Sequence, residues 1–235
     1  MDKSSKTIQR MFDEIAPTYD SANQRLSLSI DTLWRLKTVR ALGIKSKDVI
    51  LDIATGTGGL AMLALKKNAG CRIVGVDLSG KMLGLAANKR NKEGCRDRYA
   101  LLKGDACHMP FQGSVFDHAM IGFGLRNVAH MENLFKESSR VLKKGGKLAV
   151  LEFSLPQQHF INQLYLVYFK RILPFLGGII SGKREAYRYL RDSVMAFDSP
   201  GELEYKMRKL GFRIVESLPL WFGICHLYVA ENTGM

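Results

Sequence analysis

The sequence predicts an α/β fold, a mostly parallel sheet with helices on both faces, and three observations carry that expectation. From Val49 onward, short apolar runs alternate with segments of helical period. A glycine turn, Gly56-Thr57-Gly58-Gly59, follows the first apolar run and opens a helix. The 235 residues, 46% apolar and 24% charged, suit one domain with a sizeable core better than two domains or a disordered chain.

Residues 49–53 read as the first strand and 60–67 as the helix behind the glycine turn. The second strand is 72–77, followed by a helix that Ser79 caps. Strands three, four and five fall at 99–103, 116–121 and 147–152, the last preceded by a helix ending at Lys143-Lys144-Gly145-Gly146. Residues 217–230 hold two more apolar runs around Pro219 and Gly223, which complete a seven-stranded sheet with an antiparallel strand at its edge. Two stretches stand outside the alternation. The arm 1–41 is expected as a helical lid and 156–200 as a helical cap insertion, both over the carboxyl ends of the strands, where open α/β sheets bind ligands.

A net charge of +13 and a pI near 9.7 draw the surface toward polyanions. Charge alone does not choose between nucleic acid and the anionic face of a membrane; the basic residues are dispersed in pairs such as Lys89-Arg90 and Lys143-Lys144, which read as a solvated basic surface, and there is no nucleic-acid tail. Peripheral contact with an anionic membrane surface, and none with nucleic acid, is the expectation. Residues 160–180 are the most apolar part of the chain, broken by Lys170, Arg171 and Pro174, and suit either an interfacial helix or a cap packed on the sheet. Cys71, Cys95, Cys107 and Cys225 lack metal or disulfide spacing, and the N-terminus lacks an apolar signal region. A cytoplasmic protein that at most lies on a membrane is expected. The five histidines show no ligand spacing, so no metal is expected.

The glycine turn alone also satisfies the dinucleotide pattern, through Gly56, Gly58 and Ala61. Asp77 ends the second strand, where a carboxylate accepts the ribose hydroxyls of either kind of cofactor. Asp52, just before the turn, separates the two readings. An anion there repels a pyrophosphate but suits the ammonium and sulfonium groups of S-adenosylmethionine. Asp105 and Ala106, after the third strand, are then in register to take an adenine amino group and ring.

These residues resemble the ubiquinone/menaquinone biosynthesis C-methyltransferases. The resemblance runs through Asp52-Ile-Ala-Thr-Gly-Thr-Gly58, Tyr19-Asp20-Ser21-Ala22-Asn23 with Trp34, Phe123-Gly124-Leu125-Arg126-Asn127-Val128, Glu152-Phe153-Ser154 and Tyr187-Arg188-Tyr189-Leu190. This chain departs from the family pattern at Ala22 (usually Met), Asp31 (usually His), Gly122 (often Ser) and Lys144 (commonly Pro). The resemblance implies a Rossmann-like class I methyltransferase fold and cofactor contacts at Thr57, Asp77, Asp105, Ala106 and Gly122, which join Asp52, Gly56 and Gly58 of the glycine turn read above as the expected cofactor-binding residues.

It further implies methyl transfer from S-adenosylmethionine to a ring carbon of a reduced polyprenyl quinone precursor. Arg126 is the expected stabiliser of the developing phenolate, Asn127 orients the ring and Tyr19 flanks it, with Asp20 or water as proton acceptor. Two alternatives remain at this point: a methyltransferase for RNA or a small molecule, and a non-catalytic S-adenosylmethionine-binding module.

Overall fold

The computed structural model describes residues 4–27, 29–167, 169 and 184–234. Seven strands form one sheet in the order β3-β2-β1-β4-β5-β7-β6. They are β1 (Val49–Ile53), β2 (Arg72–Asp77), β3 (Tyr99–Lys103), β4 (Phe116–Gly122), β5 (Leu142–Phe153), β6 (Phe212–Leu220) and β7 (Cys225–Asn232). The first five pair in parallel, and β7 runs antiparallel to both β5 and β6.

Strands buried on both faces need apolar residues at every position, because alternate side chains point to opposite layers. β1 shows this: Ile50 packs on one side of the sheet, Leu51 and Ile53 on the other, and all three are sealed from solvent. One layer holds α3 (Ile30–Leu42) and α4 (Gly59–Lys67), through Trp34, Val39, Leu42, Leu60 and Leu65. The other holds α6 (Met131–Val141) and α9 (Pro200–Lys209), through Leu134, Phe135, Leu203 and Met207. Between β2 and β3 lies α5 (Gly80–Lys92), whose first turn is capped by Ser79, its hydroxyl accepting from the Met82 amide at 3.1 Å.

Two expectations are corrected. The antiparallel strand, β7, lies inside the sheet, and the edge strand is β6, which starts at Phe212 rather than 217. The edge is where a proline costs no ladder bond, and Pro219 sits there opposite His226. The helix before β5 also stops earlier than its Lys-Lys-Gly-Gly signal. It ends at Val141, Leu142 pairs with Phe116, residues 143–146 bulge out with Gly145 at φ +79°, and the ladder resumes with Lys147 opposite His118.

The arm folds into α1 (Ser5–Ile15), α2 (Tyr19–Leu26) and α3. The segment after β5 supplies α7 (His159–Val167) and α8 (Arg184–Met195). Ala22, Tyr165, Phe169, Tyr187 and Val194 form a third small core that joins arm to cap. Of the apolar stretch 160–180, Lys170, Arg171 and Pro174 lie outside the described residues. Among the described residues, no helix is long and apolar enough to cross a membrane.

Candidate active site

Two adjoining cavities open at the carboxyl ends of β1, β2 and β4. The smaller, about 120 Å³, is lined by Ala54 and Gly56 of the glycine turn, Asp77 and Leu78 after β2, Asp105 and Ala106 after β3, and Gly122 and Phe123 after β4. Gly56 adopts φ +57° with nothing within 4 Å of where a Cβ would stand, so a ligand can approach its backbone. Its N–H donates to Asp77 Oδ2 at 2.8 Å, and the Ser79 N–H donates to Oδ1 at 2.8 Å. Burial pushes the Asp77 pKa up, and those two amides oppose the shift. Asp105 Oδ1 accepts from the Cys107 N–H at 2.9 Å. Among the described residues, the lining contains two carboxylates and neither lysine nor arginine.

Asp52, Thr57 and Gly58 are not in that lining; they support the turn from beneath. Asp52 is 1% exposed and accepts the Thr55 hydroxyl, which lies 2.7 Å from the Tyr99 hydroxyl. Burial raises the Asp52 pKa to about 7, against the Thr55 hydrogen bond and the charge of Arg35. At Gly58, φ is +79° and a Cβ would stand 3.0 Å from the Tyr99 hydroxyl. The Thr57 hydroxyl donates to Asp20 Oδ1 at 2.7 Å and accepts from Lys89 Nζ at 3.0 Å, and Lys89 reaches Asp20 Oδ2 at 2.6 Å. Both Asp20 oxygens are thus engaged, and Asp20 lines neither cavity.

The larger cavity, about 500 Å³, is walled by the arm, the segment after β4, the end of β5, α7 and α8, with Trp34, Phe153, Tyr165, Tyr187 and Trp221 among its aromatic lining. Phe12, Tyr19 and Phe123 line both cavities. Phe123 holds φ +59° and Ala54 φ +51°, conformations that cost a side-chain-bearing residue roughly 1–3 kcal/mol. Gly124 permits the pairing, because a Cβ there would lie 2.8 Å from that of Ala54. Arg126 lines the larger cavity and Asn127 the smaller. Asn127 Oδ1 accepts from the Tyr189 hydroxyl at 3.0 Å.

Arg126 has partners that the sequence reading did not supply. Its Nη1 donates to Glu152 Oε1 at 2.7 Å and to the Phe123 carbonyl at 2.6 Å, its backbone N–H donates to Glu152 Oε2 at 3.1 Å, and its buried Nε has no hydrogen-bond partner among the described residues. Glu152 had a legible signal: a lone acid ending the apolar run Leu148-Ala-Val-Leu-Glu152 of a central strand needs a buried cation. Asp13 is a second missed contact. It leaves α1 to accept from the Ser79 hydroxyl and, at 3.3 Å, from the Lys81 N–H, holding the arm over the smaller cavity.

Solved structures share this architecture at low identity. A [4+2]-cyclase, SpnF, superposes with a TM-score of 0.73 at 17% identity, covering 98% of this chain and 97% of its own. A methyltransferase from Thermotoga maritima gives 0.65 at 21% identity, covering 96% and 99%. Sequence relatives are much nearer. The demethylmenaquinone methyltransferase of Thermus thermophilus is 43% identical over 94% of this chain and all of its own length. The ubiquinone/menaquinone biosynthesis C-methyltransferase of Syntrophotalea carbinolica is 44% identical over 93% and 91%. With residues 1–232 matching one family throughout, the chain belongs to the ubiE/COQ5 methyltransferase family.

Proposed function

We propose that this methyltransferase carries a methyl group from S-adenosylmethionine to a ring carbon of a reduced polyprenyl quinone precursor, demethylmenaquinol first and the methoxy-benzoquinol precursor of ubiquinone second. One observation carries the reading. A small cavity whose charged side chains are carboxylates shares Phe12, Tyr19 and Phe123 with a large aromatic cavity that holds a buried arginine. The first suits a cationic donor and the second a flat, apolar ring. The names of the relatives point to the same acceptors.

The donor supplies an electrophilic methyl on a positive sulfur. Asp77 takes its ribose hydroxyls, Asp105 and Ala106 its adenine, and Gly56 lets its amino-acid part close on the backbone. Gly122 and Phe123 stand at the junction of the two cavities. Asp52, Thr57 and Gly58 act one layer back by fixing the turn.

A hydroquinol becomes nucleophilic at carbon as its neighbouring oxygen gains negative charge. Arg126 stabilises that oxygen from a water-poor wall, and Glu152 holds the guanidinium in place. Asn127, steadied by Tyr189, and Tyr19 orient the ring. Holding carbon, methyl and sulfur in line contributes roughly 7–11 kcal/mol to such a reaction. The arm 1–41 serves as lid and 156–200 as cap, excluding water while the polyprenyl tail leaves through the apolar side. A basic surface of net charge +13 favours approach to an anionic membrane.

The test is to incubate the protein with labelled S-adenosylmethionine and chemically reduced short-chain demethylmenaquinol, then look for the methylated ring by mass spectrometry. Product from the reduced ring and none from the oxidised ring is expected. Failure with every reduced quinol, beside transfer to RNA, would overturn the reading.

A further inference from the structure

We propose that Ser27, Asp31 and Arg35 form a second polar subsite in the larger cavity, one that binds the ring hydroxyl para to the reacting oxygen. The inference rests on the quinol reading above and assigns residues to the end of the ring opposite Arg126. Among the described residues of a largely aromatic and aliphatic lining, Asp31, Arg35 and Arg126 are the charged side chains, beside the polar Thr18, Asn23 and Ser27. Arg35 and Asp31 are an ion pair, Nε to Oδ2 at 3.3 Å, with side chains only 17% and 18% exposed. The Ser27 hydroxyl donates to Asp31 Oδ1 at 2.7 Å and also lines the cavity.

The two arginines are placed in a related way. Arg35 lies 5.2 Å from the centre of the Phe123 ring and Arg126 5.4 Å from that of Phe153, and these two rings stand 4.6 Å apart at 35°. Each guanidinium is therefore fixed by a carboxylate and by one ring of a single aromatic pair. Asp31 engages Arg35 through Nε. Arg35 lines the larger cavity, and its Nη1 lies 3.0 Å from where a Cβ would stand on Gly59 and 3.8 Å from that of Gly122, a residue of the smaller cavity's lining.

A 1,4-dihydroxy ring brings a polar group at each end into this apolar space, and a buried hydroxyl left without a partner binds poorly. Arg126 with Glu152 satisfies one end; Arg35, with Asp31 and Ser27, satisfies the other. Pairing each arginine with a carboxylate lets both donate while leaving little net charge beside a cationic donor.

The test compares the reduced quinol with its monomethyl ether on the hydroxyl para to the reacting one, in wild type, Arg35→Met, Arg35→Lys and Asp31→Asn. Wild type should prefer the free hydroquinol by about 10- to 100-fold in kcat/KM, the range for a lost hydrogen bond to a charged group. Arg35→Met should lower the hydroquinol value by a similar factor through KM, spare the ether and leave donor affinity by calorimetry unchanged. Arg35→Lys should recover part of the preference, and Asp31→Asn should weaken it. An undiminished preference in Arg35→Met, or an equal loss on both substrates, would overturn the subsite while the quinol reading stands. Absence of transfer from wild type to any quinol would overturn both.

Discussion

The Arg126 guanidinium meets the Glu152 carboxylate at 2.7 Å with side chains 8% and 1% exposed, at the carboxyl end of the sheet and on the wall of the larger cavity. On the proposed function a pair so placed has a chemical role beside its structural one, and the two separate experimentally. Glu152→Ala strands a buried cation and should lower unfolding free energy by about 3–5 kcal/mol. The double variant Arg126→Met/Glu152→Gln removes both charges and should regain most of that stability in urea titrations. It should still lose about 100-fold or more in kcat, as expected when a donor to a developing oxyanion is removed. Recovery of turnover with stability would show that Arg126 only holds the fold.

Asp77 is held by two loop amides before any ligand arrives. Asp77→Ala should weaken S-adenosylmethionine binding by about 10- to 100-fold, the range for charge-assisted hydrogen bonds. Isothermal titration measures it directly, and an unchanged affinity would remove the ribose contact.

Asp52 makes stability depend on pH in an unusual direction. Its folded pKa, about 7, lies above the ordinary 3.8 of the unfolded chain. Between those values the unfolded state ionises first, so this group's contribution to stability is largest at low pH and declines as pH rises from about 4 to 7. Asp52→Asn keeps an acceptor for Thr55 but cannot ionise. The unfolding free energy of wild type minus that of Asp52→Asn should therefore fall across this interval and level off above it. A difference that rises with pH would show that the carboxylate is charged in the fold.

Gly122 carries no side chain because Leu60 occupies the space: a Cβ there would lie 2.6 Å from Leu60 Cδ1. Gly122→Ser, which puts a side chain into that space, should cost about 1–3 kcal/mol by overpacking. Gly122→Ser with Leu60→Val should recover much of it, and thermal unfolding of the single and double variants decides the matter.

The central sheet was legible because each strand centres on a short apolar stretch followed by a turn signal, as at 49–53 with Gly56. The C-terminal hairpin was harder. Alternating residues such as Arg213 and Glu231, paired at 2.7 Å on the sheet's outer edge, hide the start of β6 from an apolar count. At the site, Asp77, Asp105, Ala106 and Gly56 follow from their place after strands. Asp52 precedes the turn by the same logic, yet its side chain goes beneath the backbone, since the direction of a buried carboxylate depends on Thr55 and Tyr99 rather than on spacing. Links such as Asp13 to Ser79 and Thr57 to Asp20 join residues far apart in the chain, and no local pattern announces them.

Phe12, Tyr19 and Phe123 form a partition with a ligand chamber on either side, and two of the three belong to the N-terminal helices. A wall shared in this way ties the traffic of the two substrates together. On the proposed reading, in which the arm is a lid, moving the helices aside to release one molecule also unseals the other, so exchange of donor and acceptor is expected to be coupled, and an ordered exchange is the prediction. Steady-state inhibition by the demethylated donor should then be competitive against one substrate and noncompetitive against the other.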